Sequence, residues 1–374
     1  MASKIELTIA PSYVPSWGIV EAVRELFQNA LDQQKQNPTN KMSWEYDPEA
    51  QRLRICNKYS TLEASSLLLG ATTKADDTST IGQFGEGYKI ATLVLLRNGK
   101  KITFYNYGAR EVWCPRFVNS RRFGTQILTF FIDKKAFWDT IPNNDLTIEI
   151  EGITEEEYMQ QIVPSNLHIR TDYKVIESTY YGDIVDIPGK VFVNGLFVCD
   201  FKPYKYGYNF KPEHLKLDRD RKMASSFDLM WLASQVWSKA SEESMPLTID
   251  LLKEGAADVG YIDSVASFGS NYLTLRNACY EAFHQKYGAE ALPVTDQSEL
   301  NNVPKGYKGV IVPATYGRLI KSSTKFTASA PPIQTEAEKI FDKIDEWINK
   351  VADRLTTDET IEINDLVARL REEI

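Results

Sequence analysis

The chain has 374 residues, 43% hydrophobic and 25% charged, which is ordinary globular composition, and its length exceeds what one hydrophobic core usually serves. Acidic residues outnumber basic ones 51 to 43, for a net charge of −8, so nucleic acid is not indicated as a partner. No apolar run approaches the roughly 20 residues of a membrane-spanning helix, and the first residues carry no signal-peptide core, so a soluble cytoplasmic protein with no membrane partner is expected.

Between Trp17 and Gln34, apolar side chains recur at Val20, Val23, Leu26, Phe27, Ala30 and Leu31, which predicts an amphipathic helix. Ser43 to Tyr46 and Arg52 to Cys56 read as strands joined by the turn Asp47-Pro48-Glu49, and Leu62 to Leu69 as a short helix. The small, polar stretch Ala71 to Thr80 reads as a mobile loop leading into Gly82, Gly85 and Gly87 and then a buried helix from Ile90. Lys101 to Tyr107, Glu111 to Cys114, Thr125 to Ile132 and Leu146 to Ile150 complete an α+β first domain ending near 150. In the next unit, Lys190 to Val198 brackets Asn194-Gly195, the signature of a tight β-hairpin. Helices are expected at 224–241 and 247–254, and a small α/β unit over 256–320 with strands at Ala291 to Val294 and Gly309 to Val312. Lys321 to Ile333 reads as a linker, and the stripe from Ile340 to Leu355 as a helix that buries against the chain or a partner. The four cysteines lie far apart, and with three histidines they suggest neither a zinc site nor a disulfide framework.

Two features carry chemistry. On the first helix Glu25, Asn29 and Asp32 fall one turn apart near one face, beside the apolar stripe. The glycines at 82, 85 and 87 precede an apolar helix, where free main-chain N–H groups and the helix dipole favour an anion. Either feature alone also fits a solvated helix face or a flexible turn.

Together, Glu25 to Asp32 and Ile81-Gly82-Gln83-Phe84-Gly85-Glu86-Gly87-Tyr88 resemble the nucleotide site of the GHKL ATPases (gyrase, Hsp90, histidine kinases, MutL), with Hsp90 the closest likeness. Leu69 to Lys74 is similar to the family's segment ahead of the lid, and Gly124-Thr125 to its late Gly-Thr element. The resemblance implies ATP and Mg²⁺ as ligands, with Glu25 deprotonating the attacking water and Asn29 ligating the metal. It implies that Lys74 offers a charge to phosphate, that the backbone of Gly82, Gln83, Phe84, Gly85, Glu86, Gly87 and Tyr88 cradles the terminal phosphates, and that Asp32 and Thr125 help to form the base pocket. Where the family has an aspartate that accepts from adenine, this chain has Asn57, whose amide could accept from adenine or donate to guanine; Asn57→Asp would restore an acceptor-only group. More weakly, Leu215 to Lys222 resembles the Hsp90 middle-domain loop whose arginine reaches the γ-phosphate, which would make Arg221 that residue, with surface ion pairing as the other reading.

The expected fold class is thus α+β: a GHKL-type two-layer α/β sandwich over 1–150, a transducer-like α+β domain over 151–255, the small α/β unit, and C-terminal helices over 334–374. The expected function is slow Mg²⁺-dependent ATP hydrolysis driving a lid and domain switch, with a homodimer or a protein client as partner. The alternatives are a non-catalytic interaction protein on the same scaffold and a DNA-processing factor of the gyrase or MutL type.

Overall fold

A computed structural model describes residues 3–68, 87–134, 145–215, 225–265, 270–304, 306–329, 336–351 and 354–373. The chain divides into two units, residues 1–272 and 273–374.

The first unit opens with strand β1 (Ser3–Glu6), helix α1 (Ile19–Gln36), β2 (Met42–Asp47), β3 (Arg52–Asn57), helix α2 (Gly87–Arg97), β4 (Lys101–Asn106), β5 (Glu111–Ser120), β6 (Thr125–Lys134) and β7 (Leu146–Glu151). The strands form one antiparallel sheet in the order β1-β6-β5-β4-β7-β3-β2. Because side chains alternate along a strand, one face presents Leu53, Ile55, Ile102, Phe104, Phe130, Ile148 and Ile150, which share a core with Val23, Leu26 and Phe27 of α1 and Ala91 and Val94 of α2. The opposite face is polar: Arg54 Nε and the Tyr105 hydroxyl donate to Glu149 at 2.8 and 3.2 Å. The result is a two-layer α+β sandwich.

β5 runs well past the expected end at Cys114 and carries Pro115 within it. Pairing with β4 stops at Trp113 while pairing with β6 continues to Ser120, so the missing proline N–H interrupts no ladder on the β4 side. The expected helix over 62–69 is a single 3₁₀ turn, Ala64–Leu67.

Arg97, in the last turn of α2, holds the approach to α1. Its guanidinium donates to the carbonyls of Pro11, Tyr13, Val14 and Trp17 at 2.8 to 3.2 Å. One side chain thus fixes seven residues of loop that have no ladder of their own, and sets where α1 begins.

A second sheet, in the order β11-β10-β12-β9-β8, contains β8 (Val175–Ser178), β9 (Gly182–Val185), β10 (Lys190–Val193), β11 (Leu196–Asp200) and β12 (Gly207–Phe210). The Asn194-Gly195 hairpin forms as its sequence predicts, with φ of 49° and 77° at the two turn residues. Helices Ser226–Ser238 and Met245–Glu254 follow. Buried Asp258 accepts from the backbone N–H groups of Lys205 and Tyr206 and from the Tyr208 hydroxyl at 2.6 Å, and Trp237 Nε1 donates to the same hydroxyl at 2.7 Å. This network ties Asp258 and Trp237 to the second sheet, within the unit that runs to residue 272.

In the second unit, β13 (Ala291–Val294) and β14 (Lys308–Ile311) pair in parallel beside helices Ser270–Tyr287 and Ala314–Lys321, and the Tyr316 hydroxyl donates to the Cys279 carbonyl. The expected linker is helical over Thr324–Ser329, while 330–333 lie outside the described residues. The C-terminal stripe forms helix Glu336–Val351, followed by Thr357–Glu373; Phe341 and Ile348 are buried, and Ile340 and Trp347 are exposed.

Two measurements test this framework. Arg97→Met should destabilise the first unit by about 2–4 kcal/mol, read from chemical denaturation, because four carbonyls lose a charged donor together. Lys100 Nζ lies 2.7 Å from Glu157 and 2.6 Å from the Gly152 carbonyl, joining β4 to the segment after β7. Burial pushes the Glu157 carboxyl up, but Lys100 and the Thr154 N–H outweigh it and hold the group below its ordinary 4.5. The pair therefore contributes stability that is present above pH 4.5 and lost as the pH falls through the folded value. Glu157→Gln should lower the melting temperature at neutral pH and flatten its fall in acid.

Candidate functional site

Helix α1 is buried on almost every side, and Arg24, Glu25, Gln28 and Asp32 are all inaccessible although each is polar. Such groups are tolerated only where something meets them. The second helix supplies part of the answer, because α2 opens at Gly87 directly against this face. A Cβ built on Gly87 would stand 2.5 Å from Glu25 Oε2 and 3.5 Å from Asn29 Nδ2. Glycine lets the α2 backbone come this close without displacing the Glu25 carboxylate. The first-turn N–H groups of α2, which have no partner within the helix, thereby share one locus with a buried carboxylate and an amide. Asn29 Nδ2 is itself buried with no hydrogen-bond partner, and so is Gln28 Nε2. A buried amide left this way costs about 1–3 kcal/mol, so the locus is formed at the expense of stability.

Glu25, Asn29 and Gly87 are therefore brought together, and Asp32 lies on α1 one turn beyond Asn29. The Tyr88 side chain is engaged elsewhere. Its ring packs edge-on to Phe104, and its hydroxyl lies 2.8 Å from Ser66 Oγ; burial pushes the phenol up to about 12, with the Ser66 hydrogen bond opposing. Lys74, Gly82, Gln83, Phe84, Gly85, Glu86 and Arg221 lie outside the described residues.

Asn57 sits at the site end of β3, but its amide is already engaged. Nδ2 donates to the Ala30 carbonyl of α1 at 2.9 Å and to the Asn40 carbonyl at 3.0 Å. Two carbonyl acceptors on one terminal atom require it to be the nitrogen, and both its hydrogens are used. The expectation that this amide could donate to a guanine oxygen is corrected accordingly: no donor remains. Thr125 is corrected as well. It is exposed at the tip of the β5–β6 hairpin, whereas Asn57, Leu146 and Asn106 are neighbours across the opposite end of the sheet. Nine residues of β6 separate Thr125 from Lys134 at that end, about 30 Å at ~3.3 Å per residue, so Thr125 takes no part in the site.

The sequence reading missed the residues that hold the site's margin. Lys89, fully buried in the first turns of α2, donates to the Leu68 carbonyl at 2.5 Å. Asn106 exchanges two hydrogen bonds with the Leu62 backbone, accepting from its N–H and donating to its carbonyl at 2.7 Å. With Tyr88 on Ser66, three side chains fix residues 62–68, where the chain leaves the sheet. A lysine inside the apolar run after Gly87 was the available signal for Lys89; Asn106, at the end of an ordinary strand, gave none. Among the described residues no cluster of three or more His, Cys, Asp or Glu is placed to hold a metal ion, and no helix is long and apolar enough to cross a membrane.

No family model matches the chain. It is 25% identical over 223 residues to a protein of Mycoplasma pneumoniae described as uncharacterized, a match taking in 57% of this chain and 88% of that one. Among solved structures it is similar to the ATPase region of Saccharomyces cerevisiae topoisomerase II, at 12% identity and a TM-score of 0.30 over 48% of this chain and 62% of that one. It is also similar to the ATPase and transducer domains of DNA topoisomerase II from Balamuthia mandrillaris, at 8% identity and a TM-score of 0.31 over 53% and 67% of the two chains. The chain thus spans about three fifths of the first of these, covering 62% of it. At such TM-scores the likeness carries no argument about the site, which rests on the geometry of α1 and α2.

That geometry makes Asn57→Asp destabilising, by at least about 2 kcal/mol, because a carboxylate would face two carbonyls that have lost their donor. Thermal denaturation checks it, and an unchanged melting temperature would show that the amide does not bridge α1 and β3.

Proposed function

We propose that the chain binds ATP with Mg²⁺ between α1 and the start of α2 and hydrolyses it slowly to ADP and phosphate. The observation that carries this reading is the approach of the Gly87 backbone to Glu25 and Asn29, with the Asn29 amide nitrogen buried and without a partner. The residues present fit a magnesium nucleotide. A helix N-terminus takes phosphate oxygens, an amide oxygen is a hard neutral donor suited to Mg²⁺, and the unused amide N–H can meet a further phosphate oxygen. Bound Mg²⁺ would supply charge neutralisation along the phosphates, with Asn29 as its protein ligand.

Glu25 is the group placed to accept a proton from water at this locus. Its carboxylate is packed against the α2 backbone, which restricts its rotamers and keeps solvent away. Asn57 has donated both amide hydrogens inward, so its carbonyl is what remains for a base, which supports adenine with its exocyclic donor over guanine. By the family resemblance alone, Lys74 and Arg221 would add positive charge at the phosphates.

Calorimetry with ATP in the presence and absence of Mg²⁺, followed by a phosphate-release assay, tests the reading. Glu25→Ala should leave ATP affinity within about threefold and abolish turnover, since the proton acceptor is lost and the phosphate contacts are kept. Asn29→Ala should remove the Mg²⁺ dependence of binding. Gly87→Ala should cost little stability and suppress turnover, because the new methyl group displaces the flexible end of Glu25 rather than backbone. Absence of ATP binding by the unaltered chain would overturn the proposal.

A further inference from the structure

Arg24 immediately precedes Glu25 on α1 and faces the second sheet. Its guanidinium, almost wholly buried, donates to the Phe197 carbonyl of β11 at 3.3 Å and lies 6.0 Å from the centroid of the Trp17 ring. Next to Phe197, Leu196 belongs to the core shared with Ala22, Val23 and Leu26 of α1. The second sheet thus reaches the candidate site helix through the tip of one hairpin.

That tip is stiff. The Gly195 N–H donates to Asn209 Oδ1 at 2.6 Å, and the Gly195 carbonyl accepts from Leu167 N at 2.7 Å. The His168 ring stands 2.5 Å from where a Gly195 Cβ would be, and its Nε2 lies 2.8 Å from the Asn194 carbonyl. A hairpin braced on three sides moves with its sheet. Beside the contact, a cleft of about 600 Å³ lies between the start of α1 and the hairpin, lined by Glu21, Arg24, Gln161, Pro164, Lys190 and Phe197. Open space therefore lies beside this contact, which leaves room for the hairpin tip to shift against α1.

We propose that Arg24 and the β10–β11 tip form the joint through which the second sheet sets the position of Glu25 and responds to the nucleotide. The inference rests on the nucleotide reading above and deepens it with a route of regulation. A helix is rigid along its axis, so displacing the Phe197 carbonyl moves the α1 turn that carries both Arg24 and Glu25. Arg24 is a positioning residue: it acts on the site through the next residue.

The test uses the full chain. Hydrogen exchange over 190–200 and over α1 is followed with and without ATP and Mg²⁺, beside calorimetric affinity and turnover, for the unaltered protein, Arg24→Met, Arg24→Lys and Leu196→Ala. In the unaltered protein ATP should slow exchange in the hairpin. Arg24→Met should bind ATP within about threefold of the unaltered protein, lose the hairpin response, and turn over about tenfold more slowly, the expected penalty for a misplaced base. Arg24→Lys keeps a donor and should recover most of both. Leu196→Ala loosens the packing of the tip on α1 while every α1 residue is kept, and should reproduce the loss, so the proposal stays open to refutation if Arg24→Met does not fold. ATP binding with no change in hairpin exchange, or unchanged turnover in both Arg24→Met and Leu196→Ala, would overturn the joint while leaving the nucleotide reading intact. Failure of the unaltered chain to bind ATP would remove both.

Discussion

Helix α1 buries a run of polar side chains in its middle turns, and this constraint organises the first unit. Arg24, Glu25, Gln28 and Asp32 are cut off from water, so the elements around the helix are positioned by what those groups need. Arg24 takes a carbonyl from the second sheet. Glu25 and Asn29 face the bare backbone of Gly87. The α1 carbonyl at Ala30 takes a hydrogen bond from Asn57, which fixes the end of β3 under the helix. Arg24 and the Ala30 carbonyl thus connect layers, while at Asn29 Nδ2 and Gln28 Nε2 the connection is left unmade.

The two helices are held at both ends by different means. At one end Arg97 gathers the carbonyls of residues 11–17, and at the other Gly87 admits the α1 side chains. The first contact rests on charge-assisted hydrogen bonds and the second on the absence of a side chain. A framework fixed at the Arg97 end and stripped of bulk at the Gly87 end leaves the Asn29 amide nitrogen unsatisfied beside the start of α2. Lys89, Asn106 and Tyr88 pin residues 62–68, so that the chain leaves the sheet at a set point. The hairpin tip at Asn194-Gly195 brings the second sheet to the same helix from the other side.

The local elements were legible in the sequence because their causes are local. The 3.6-residue apolar period of α1, the alternation in β3, β4 and β7, and the Asn-Gly turn between β10 and β11 each depend on neighbours within a few positions. The strand expected over Glu111 to Cys114 runs on through Pro115 to Ser120 because pairing there is with β6 alone. The helical spacing of Glu25 and Asn29 fixed their common face, and glycine at 87 marked a close approach. What that approach was to, and which residues shared the site, needed the sheet order. With β7 inserted between β3 and β4, the end of β3 lies beside Leu146 and Asn106, and Thr125 is carried to the far tip of another strand. Asn57 could be read only as an amide with two faces; its tertiary neighbours, two carbonyls from elements 27 and 17 residues away, decided which face was spent. The partner of Arg24 is a carbonyl 173 residues along the chain, which no local pattern marks. Periodicity and spacing are properties of short stretches of chain, whereas the partner of a buried polar group is set by long-range packing, and that is why the sequence determined the pieces and the tertiary structure determined the site.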